Sequence, residues 1–333
     1  MSTAPALLEV RGLVKHFPLK KDIFGRGAGV VRAVDGVNFD VFRGETLGVV
    51  GESGCGKSVT NLAIVGLLPK PAGRVEGGSV KLDGRELTTL KEEELRKVRG
   101  SEIAMIFQDP MTSLNPVLRI EEQLIETIQA HREVTKEAAR TRAIELLTAV
   151  GVANPESRLR SYPHEFSGGM RQRVMIAIAL ACDPEVLIAD EPTTALDVTI
   201  QAQILALLAK LKRERGMAMA LITHDLGVVA GIADRVAVMY AGRVVELGTV
   251  HEVLKAPKHP YTAALLASMP RIDDTGTGPL PAIGGQPPNP RRLPPGCAFG
   301  PRCERVDETC RAARPALAGH DRRVACHHPL ERP

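Results

Sequence analysis

The sequence has no tryptophan, three tyrosines and seven phenylalanines in 333 residues. Proteins that bind single-stranded nucleic acid stack bases on aromatic rings, so this shortage argues against that class. The longest uninterrupted apolar run, Val174 to Cys182, is about half the length that a membrane-spanning helix needs. The first ten residues lack the basic start and the long apolar stretch of a signal peptide. We therefore expect a cytosolic protein with an ordinary hydrophobic core.

Net positive charge is confined to the end of the chain. The whole protein has a formal charge of +4, and the segment from Arg291 onward holds nine arginines, no lysine and five acidic residues, which is the same +4. The rest of the chain is thus close to neutral. A basic segment of this kind binds nucleic acid, faces anionic lipid or surrounds an anionic prosthetic group. No internal repeat of solenoid or propeller period is present.

The stretch "GESGCGKS", residues 51–58, fits the phosphate-binding pattern G-x-x-x-x-G-K-[ST]. It follows Leu47–Val50, an apolar run that predicts a buried strand, and it precedes a helical pattern. In this context the glycines let backbone N–H groups converge on phosphate oxygens, Lys57 neutralises the β and γ phosphates, and Ser58 ligates Mg2+. The other residues of this loop that we predict to bind ATP are Gly51, Ser53, Gly54, Cys55, Gly56 and Val59.

A second apolar run, Val186–Ala189, predicts a buried strand that ends in Asp190 and Glu191. Phosphoryl transfer needs one carboxylate to hold the water shell of the metal and another to polarise the attacking water. An acidic pair at a strand end is a weak signal by itself. Together with the phosphate loop it predicts a nucleotide hydrolase.

A third motif, "EFSGGMRQR", offers another anion site, because Ser167, Gly168 and Gly169 precede a helix. One chain cannot easily use both anion sites on one nucleotide, whereas two chains packed head to tail can complete each other's pockets. At this point the chain resembles the nucleotide-binding subunits of ATP-binding-cassette (ABC) transporters. Met170 departs from the family, which more often has glutamine there.

The resemblance extends to further motifs in the same order along the chain. It implies that Phe17 stacks on adenine and that Gln108 joins the ATPase core to a helical subdomain. It also implies that "ALD", residues 195–197, forms the loop with Asp197 at the dimer interface, and that His224 contacts the γ-phosphate. Under the same resemblance Glu191 is the general base or the residue that orients the attacking water, and the predicted catalytic residues are Lys57, Glu191 and His224. The predicted Mg2+ ligands are Ser58, Gln108 and Asp190.

The implied fold class is α/β: an ABC-type P-loop ATPase core with an antiparallel β-subdomain and a helical subdomain, plus a small cysteine-rich C-terminal segment. We assign residues 1–255 to the ATPase domain, with the helical subdomain at about 101–183. Residues 256–333 form a C-terminal region that is typical of peptide importers and contains the cysteine-rich segment, residues 297–326. Val31 to Val41 predicts an edge strand. The pattern "KEAARTRAIELLTAVGV" predicts a helix that stops at Gly151.

Three segments resemble one branch of the family, the importers of dipeptides and oligopeptides. They are "FQDPMTSLNPV" (107–117), "YPHEFSGGMRQR" (162–173) and "HPYTAALLASMP" (259–270). The resemblance implies a second ATPase subunit that is a copy or a paralogue, two membrane permease subunits and an extracytoplasmic peptide-binding protein, with this chain at the cytoplasmic face of the membrane and no nucleic acid bound. Two alternatives remain: an ATPase subunit for nickel or another small solute, and a soluble ABC ATPase that acts on nucleic acid or the ribosome.

Four of the six cysteines lie near the end of the chain, after a Pro- and Gly-rich stretch (271–296) that predicts a linker. They are Cys297, Cys303, Cys310 and Cys326. Structural disulfides are disfavoured in the cytosol, so a metal site is the better interpretation. A four-cysteine zinc site usually has C-x-x-C pairs, which are absent, whereas iron–sulfur clusters accept wider spacings.

The resemblance implies a 4Fe–4S cluster on these four cysteines, with the nearby arginines offsetting its negative charge. Zinc, with His327 or His328 as an added ligand, and unmetallated thiols are the alternatives. The role of such a site is either a structural staple or a redox or iron-status switch. Cys182, in an apolar helical pattern, is predicted to be a core residue.

Overall fold

The computed structural model describes residues 5–19, 29–69, 73–194, 196–269 and 282–331. These residues form two compact units. The first, which we name the helical unit, comprises the described residues 5–8, 41–46, 82–194 and 196–222. The second, the P-loop unit, comprises the described residues 9–19, 29–40, 47–69, 73–81, 223–269 and 282–331.

The strands are β1 Leu8–Pro18, β2 Val30–Val41, β3 Thr46–Val50, β4 Gly77–Leu82, β5 Arg85–Glu86, β6 Ile103–Ile106, β7 Val186–Asp190, β8 Ala218–Ile222, β9 Arg235–Tyr240, β10 Arg243–Thr249 and β11 Arg323–Val324. The helices are α1 Lys57–Ile64, α2 Glu92–Val98, α3 Pro110–Ser113, α4 Ile120–His131, α5 Lys136–Ala149, α6 Pro155–Arg158, α7 Gly168–Ala179, α8 Val198–Arg215, α9 Leu226–Ile232, α10 Val250–Lys255, α11 Pro260–Ala267 and α12 Glu308–Ala312. Single 3-10 turns lie at Pro163–Glu165 and Gly300–Arg302.

In the helical unit, three parallel strands lie in the order β8, β7, β6. Every residue of β7 and β8 is buried, which explains why both read as continuous apolar runs rather than as alternating patterns. The predicted strand Val186–Ala189 is confirmed as β7. Its carboxyl end presents Asp190 and Glu191.

The helices of this unit pack on one another: α4 on α5, and both α4 and α5 on α7. The predicted helix in "KEAARTRAIELLTAVGV" is α5, whose first turn is capped by the Thr135 hydroxyl, which accepts the N–H of Ala138. Gly151 follows it with a φ of +75°, a conformation that favours glycine and ends the helix.

In the P-loop unit, β3 runs parallel to β9, and β9, β10 and β11 are successive antiparallel neighbours. A separate sheet places β1 between β2 and β4. The predicted strand Val31–Val41 is β2, and Arg43 and Gly44 form the turn after it. A buried cluster around Tyr240, Tyr261 and Phe299 joins β9, α11 and the cysteine-rich segment.

Two sequence predictions fall partly outside the described residues. The predicted linker, 271–296, is described only from residue 282, and residues 282–296 hold no helix or strand. Ala195, the first residue of the "ALD" loop, also lies outside. Among the described residues no helix is both long enough and apolar enough to cross a membrane.

Candidate functional site

The phosphate loop has the strand–loop–helix geometry that its sequence predicts: β3 ends at Val50 and α1 begins at Lys57. Positions 51 and 56 require glycine because the backbone of another segment lies too close to leave room for a side chain. A Cβ on Gly51 would lie 2.2 Å from the carbonyl oxygen of Met239, and one on Gly56 would lie 2.2 Å from that of Ala33. Both glycines also have positive φ, of 154° and 104°. The loop therefore turns sharply into a helix N-terminus, where backbone N–H groups can bind an anion.

Lys57 is the first residue of α1 and is 6% exposed. Its ammonium donates to the carbonyl oxygens of Gly51 at 2.8 Å and Glu52 at 3.1 Å. The ammonium is thus tied by hydrogen bonds to the backbone of the first two residues of the loop. Cys55 is buried beneath the loop, and burial raises the pKa of its thiol. Ser53 and Gly54 are exposed at the tip, and Ser58 and Val59 occupy the first turn of α1.

His224 lies in the same unit as the phosphate loop, in the short connection between β8 and α9. The N–H of Thr223, one residue earlier, donates to the carbonyl of Val49 in β3 at 3.2 Å. Asp225, one residue later, caps α9 by accepting the N–H groups of Gly227 and Val228. These two contacts fix the backbone on either side of His224 next to β3, the strand that leads into the phosphate loop. The side chain of His224 is exposed.

Phe17 lies near the end of β1, half-buried, and the Lys15 ammonium lies 5.0 Å from the centroid of its ring. This is a cation–π distance. Adenine stacking by Phe17 stays a prediction.

In the helical unit, Asp190 is 4% exposed at the end of β7, and Glu191 follows it with a φ of +46°. The N–H of Glu191 donates to the carbonyl of Ile222 at 2.9 Å, which fixes this left-handed residue. Its carboxylate accepts the Thr194 hydroxyl at 2.9 Å and the Gln108 side-chain amide at 3.1 Å. The structure therefore brings Gln108 and Glu191 together. The sequence analysis did not predict the contact between Thr194 and Glu191. The position of Thr194 three residues after Glu191 is the one feature of the sequence that indicates it.

Ser167 is the N-cap of α7, and its hydroxyl accepts the N–H of Met170 at 3.4 Å. Ser167 and Gly168 are exposed. Gly169 packs against α8, since a Cβ there would lie 2.8 Å from Ile200. Asp197 caps α8 by accepting the N–H of Ile200 at 2.9 Å. Helix α7 and the described part of the "ALD" loop are thus neighbours, with exposed anion-binding groups at the start of the helix.

The four C-terminal cysteines converge although they are separated by five, six and fifteen residues. All four line one small cavity, together with His259, Phe299, Arg305, His327 and His328. Burial raises the pKa of Cys297 and Cys310, and it raises the pKa of Cys326 to about 11. These three thiols are protonated at neutral pH in the metal-free chain, so a bound metal would displace their protons. Cys182 is buried in the helical unit, as predicted for a core residue.

Three side chains that could bind a metal ion lie together beside the cavity that the cysteines line. Ligand atoms of Asp307, Cys310 and His328 lie within 4.8 Å of one another, and His328 is 2.8 Å from the Asp307 carboxylate. His259 is buried, and its Nδ1 accepts the N–H of Tyr261 at 3.0 Å. Burial lowers the pKa of His259 to about 4, so its imidazole is neutral at physiological pH.

The comparisons with known proteins agree with these motifs. The family description "ABC transporter" matches residues 34–194, and "Oligopeptide/dipeptide transporter, C-terminal region" matches residues 245–310. The chain is 51% identical to the oligopeptide transport ATP-binding protein AppD of Bacillus subtilis, with 96% of each chain covered. It is 52% identical to the oligopeptide transport ATP-binding protein OppD of Salmonella typhimurium, covering 98% of this chain and 95% of that one.

Among solved structures, the chain is similar to a dimeric ATP-binding cassette, MJ0796, in a post-hydrolysis state with ADP and Pi. The TM-score is 0.63 at 29% identity, covering 73% of this chain and 98% of that one. The protein cbiO1 from Clostridium perfringens, part of the ABC transporter complex cbiONQ, gives a TM-score of 0.61 at 27% identity, covering 75% of this chain and 91% of that one.

Proposed function

Because this chain belongs to the ATP-binding subunits of oligopeptide and dipeptide ABC transporters, we propose that it hydrolyses ATP to drive the import of short peptides. The observation that carries the proposal is the joint presence of a formed phosphate loop and a C-terminal region that matches the oligopeptide/dipeptide description. ATP and Mg2+ are the cofactors of such an ATPase. The proposed domain boundaries remain 1–255 and 256–333.

The phosphate loop would bind the β and γ phosphates through Lys57, and Ser58, Gln108 and Asp190 would hold Mg2+. Glu191 would orient and deprotonate the attacking water, and its hydrogen bond to Thr194 supports this role by fixing the carboxylate. His224 would contact the γ-phosphate, and Phe17 would stack on adenine. These assignments rest on the motifs and on the local contacts within each unit.

The exposed start of α7 supports a head-to-tail dimer. The first backbone N–H groups of a helix have no carbonyl partner within that helix, and the Ser167 hydroxyl, which accepts the N–H of Met170, still has its own hydrogen to donate. In the proposed dimer they bind the γ-phosphate of the nucleotide on the partner, which is a copy of this chain or a paralogue, and Asp197 lies at the interface. ATP closes the dimer and hydrolysis reopens it.

The segment around and after Gln108, residues 107–117, is the proposed contact with the membrane subunits. It exposes three apolar side chains: Phe107 at 38%, Met111 at 59% and Val117 at 75%. Met111 lies in α3, a single turn that Asp109 caps. Exposed apolar residues at this density favour a protein partner. We place the chain at the cytoplasmic face of the membrane, bound to two permease subunits that a peptide-binding protein supplies.

The cargo is tested by reconstituting the complete transporter in liposomes and measuring ATP-dependent uptake. We expect a labelled tripeptide to accumulate only with ATP, and nickel neither to accumulate nor to compete. Uptake of nickel in place of peptide would move the chain to the nickel branch. ATP turnover that responds to nucleic acid or ribosomes and not to the permease subunits would favour the soluble ATPase alternative.

The cysteine segment is the proposed site of a 4Fe–4S cluster on Cys297, Cys303, Cys310 and Cys326. Two observations support it: all four thiols line one cavity, and Arg305 lines the same cavity with a positive charge. Such a cluster would cross-link a segment that is poor in apolar residues and supply folding free energy. The Asp307, Cys310 and His328 group is the specific observation in favour of zinc as the second candidate.

Metal analysis of protein purified without oxygen separates these candidates. For the cluster we expect about four iron and four sulfide per chain and a broad absorbance band near the blue edge of the visible. Cys303→Ser should lose that band, whereas Cys182→Ser, which changes a buried cysteine of the helical unit, should keep it. Zinc, or no metal, in the wild-type protein would contradict the cluster and leave the ATPase function unaffected.

A further inference from the structure

Glu52, the second residue of the phosphate loop, is held by two residues from far along the chain. The Arg302 guanidinium donates to both of its carboxylate oxygens, at 2.8 and 3.1 Å. The Tyr261 hydroxyl accepts the backbone N–H of Glu52 at 2.9 Å. All three residues belong to the P-loop unit. The loop is therefore fixed at both its backbone and its side chain from outside the motif.

The side chain of Arg302 is buried and fully hydrogen-bonded in this position. Its side chain is 3% exposed, whereas Glu52 is 24% exposed. Besides Glu52, it donates to the carbonyl oxygens of Gly284 and Ile283 and to the Tyr240 hydroxyl, at 2.9, 3.2 and 3.3 Å. All five N–H groups of the guanidinium thus have acceptors. The hydrogen bonds to Glu52 raise the pKa of Arg302, so it stays charged. A side chain satisfied in this way has one fixed orientation.

The cysteine-rich segment holds the backbone of Arg302. Arg302 ends the 3-10 turn Gly300–Arg302 and directly precedes Cys303. The ring of Phe299, at the start of that turn, packs on Tyr240 and Tyr261 with centroid distances of 5.4 and 5.5 Å. The N–H of Cys297 donates to the carbonyl of Cys310 at 2.7 Å, which closes the segment on itself. The position of Arg302 therefore depends on the order of the cysteine segment.

Glu52 needs a cation for a chemical reason. A carboxylate in a loop that binds a triphosphate repels the ligand, because like charges at short range oppose each other. The same residue also shapes the loop, since its carbonyl accepts the Lys57 ammonium at 3.1 Å. A cation that pairs with the carboxylate removes the repulsion, and a bidentate one also fixes the residue.

We propose that Arg302 is a positioning residue for ATP binding, which neutralises Glu52 and holds the phosphate loop in its nucleotide-binding form. The cysteine-rich segment thereby sets the affinity of the chain for ATP. This inference deepens the proposed function and rests on its assignment of the phosphate loop. It assigns to the C-terminal segment an effect on the ATP site that requires only residues of this chain.

Arg302→Met tests the inference by removing the charge and keeping much of the volume. We expect the Kd for ATP and the KM to rise about ten-fold, the size expected from losing charge-assisted hydrogen bonds, while kcat at saturating ATP changes less than two-fold. Arg302→Lys keeps the charge but loses the bidentate geometry. Its Kd for ATP should therefore lie between those of the wild type and Arg302→Met. Arg292→Met changes an exposed arginine that precedes the cysteine-rich segment; it is the matched control and should bind ATP as the wild type does.

A double-mutant cycle with Glu52→Gln identifies the cause. If Arg302 acts through the Glu52 carboxylate, then Arg302→Met should weaken ATP binding much less in the Glu52→Gln background, because the charge to be neutralised is gone. An undiminished effect in that background would overturn the inference. So would an unchanged Kd in Arg302→Met alone.

Two readouts keep these results separate from misfolding and from failure of the proposed function. Thermal unfolding of each variant shows whether it folds. If Arg302→Met does not fold, the Kd for ATP of Arg302→Lys and of the double variant Arg302→Met, Glu52→Gln tests the inference instead. A wild-type chain that binds no ATP would refute the phosphate-loop assignment. A wild-type chain that binds ATP with Arg302→Met indistinguishable from it would refute only the inference about Arg302.

Discussion

Glu191→Gln is expected to abolish ATP turnover while ATP still binds. Removal of a general base typically slows the chemical step by about 100-fold to 10 000-fold. The glutamine is isosteric and still offers an oxygen to the Thr194 hydroxyl and the Gln108 amide, and the backbone at φ +46° is unchanged. The loss should therefore be chemical rather than structural.

The measurement is phosphate release at saturating ATP, together with the ATP Kd and the mass of the protein in solution by light scattering. We expect bound ATP to hold the Glu191→Gln protein as a dimer with its partner subunit, because hydrolysis no longer reopens it. Glu137→Gln, the same chemical change at an exposed position of α5, is the control and should keep wild-type turnover. Turnover of Glu191→Gln within two-fold of the wild type would remove Glu191 from its proposed role.

Ser167→Asp is expected to stop hydrolysis for a different reason. Aspartate is as good an N-cap as serine, so the capping of α7 and the stability of the helical unit should be kept. The new carboxylate, however, would meet the γ-phosphate of the partner's nucleotide in the proposed dimer. Loss of one preformed donor to a transferring group costs roughly 100-fold or more, and repulsion adds to it.

ATP binding by the isolated Ser167→Asp chain should be normal, in contrast to its loss of hydrolysis in the dimer. The phosphate loop is untouched by Ser167→Asp, so the ATP Kd of the isolated chain should stay within two-fold of the wild type. Thr135→Asp makes a similar substitution at the N-cap of α5 and should leave turnover unchanged. If Ser167→Asp hydrolysed ATP normally in the assembled transporter, the head-to-tail arrangement would be wrong for this protein.

The sequence by itself determined the parts of the site that depend on consecutive residues. The phosphate loop is an example, because three glycines with positive φ and a helix N-terminus are local features that eight residues encode. The cap of α7 at Ser167 and the strand end at Asp190 are local in the same sense. The family and the peptide branch also followed from short motifs in a recognisable order.

Only the tertiary structure decided which distant side chains meet. The pair Arg302–Glu52 joins residues 250 positions apart, and Gln108–Glu191 joins residues 83 positions apart. No local pattern marks either contact: Arg302 is one of nine arginines in a basic tail, and nothing near it in the sequence shows that it is buried. Its partner is selected by the packing of Phe299 on Tyr240 and Tyr261.

The cysteines stand between these two cases. Their number and clustering in the sequence predicted a common site, but spacings of five, six and fifteen residues do not say that all four line one cavity. That convergence requires β11 to pair with β10, Phe299 to pack on Tyr261 of α11, and Cys297 to hydrogen-bond to Cys310 of α12. Local motifs are specified by backbone geometry over a few residues, whereas a site assembled from several elements exists only when the hydrophobic core has brought them together.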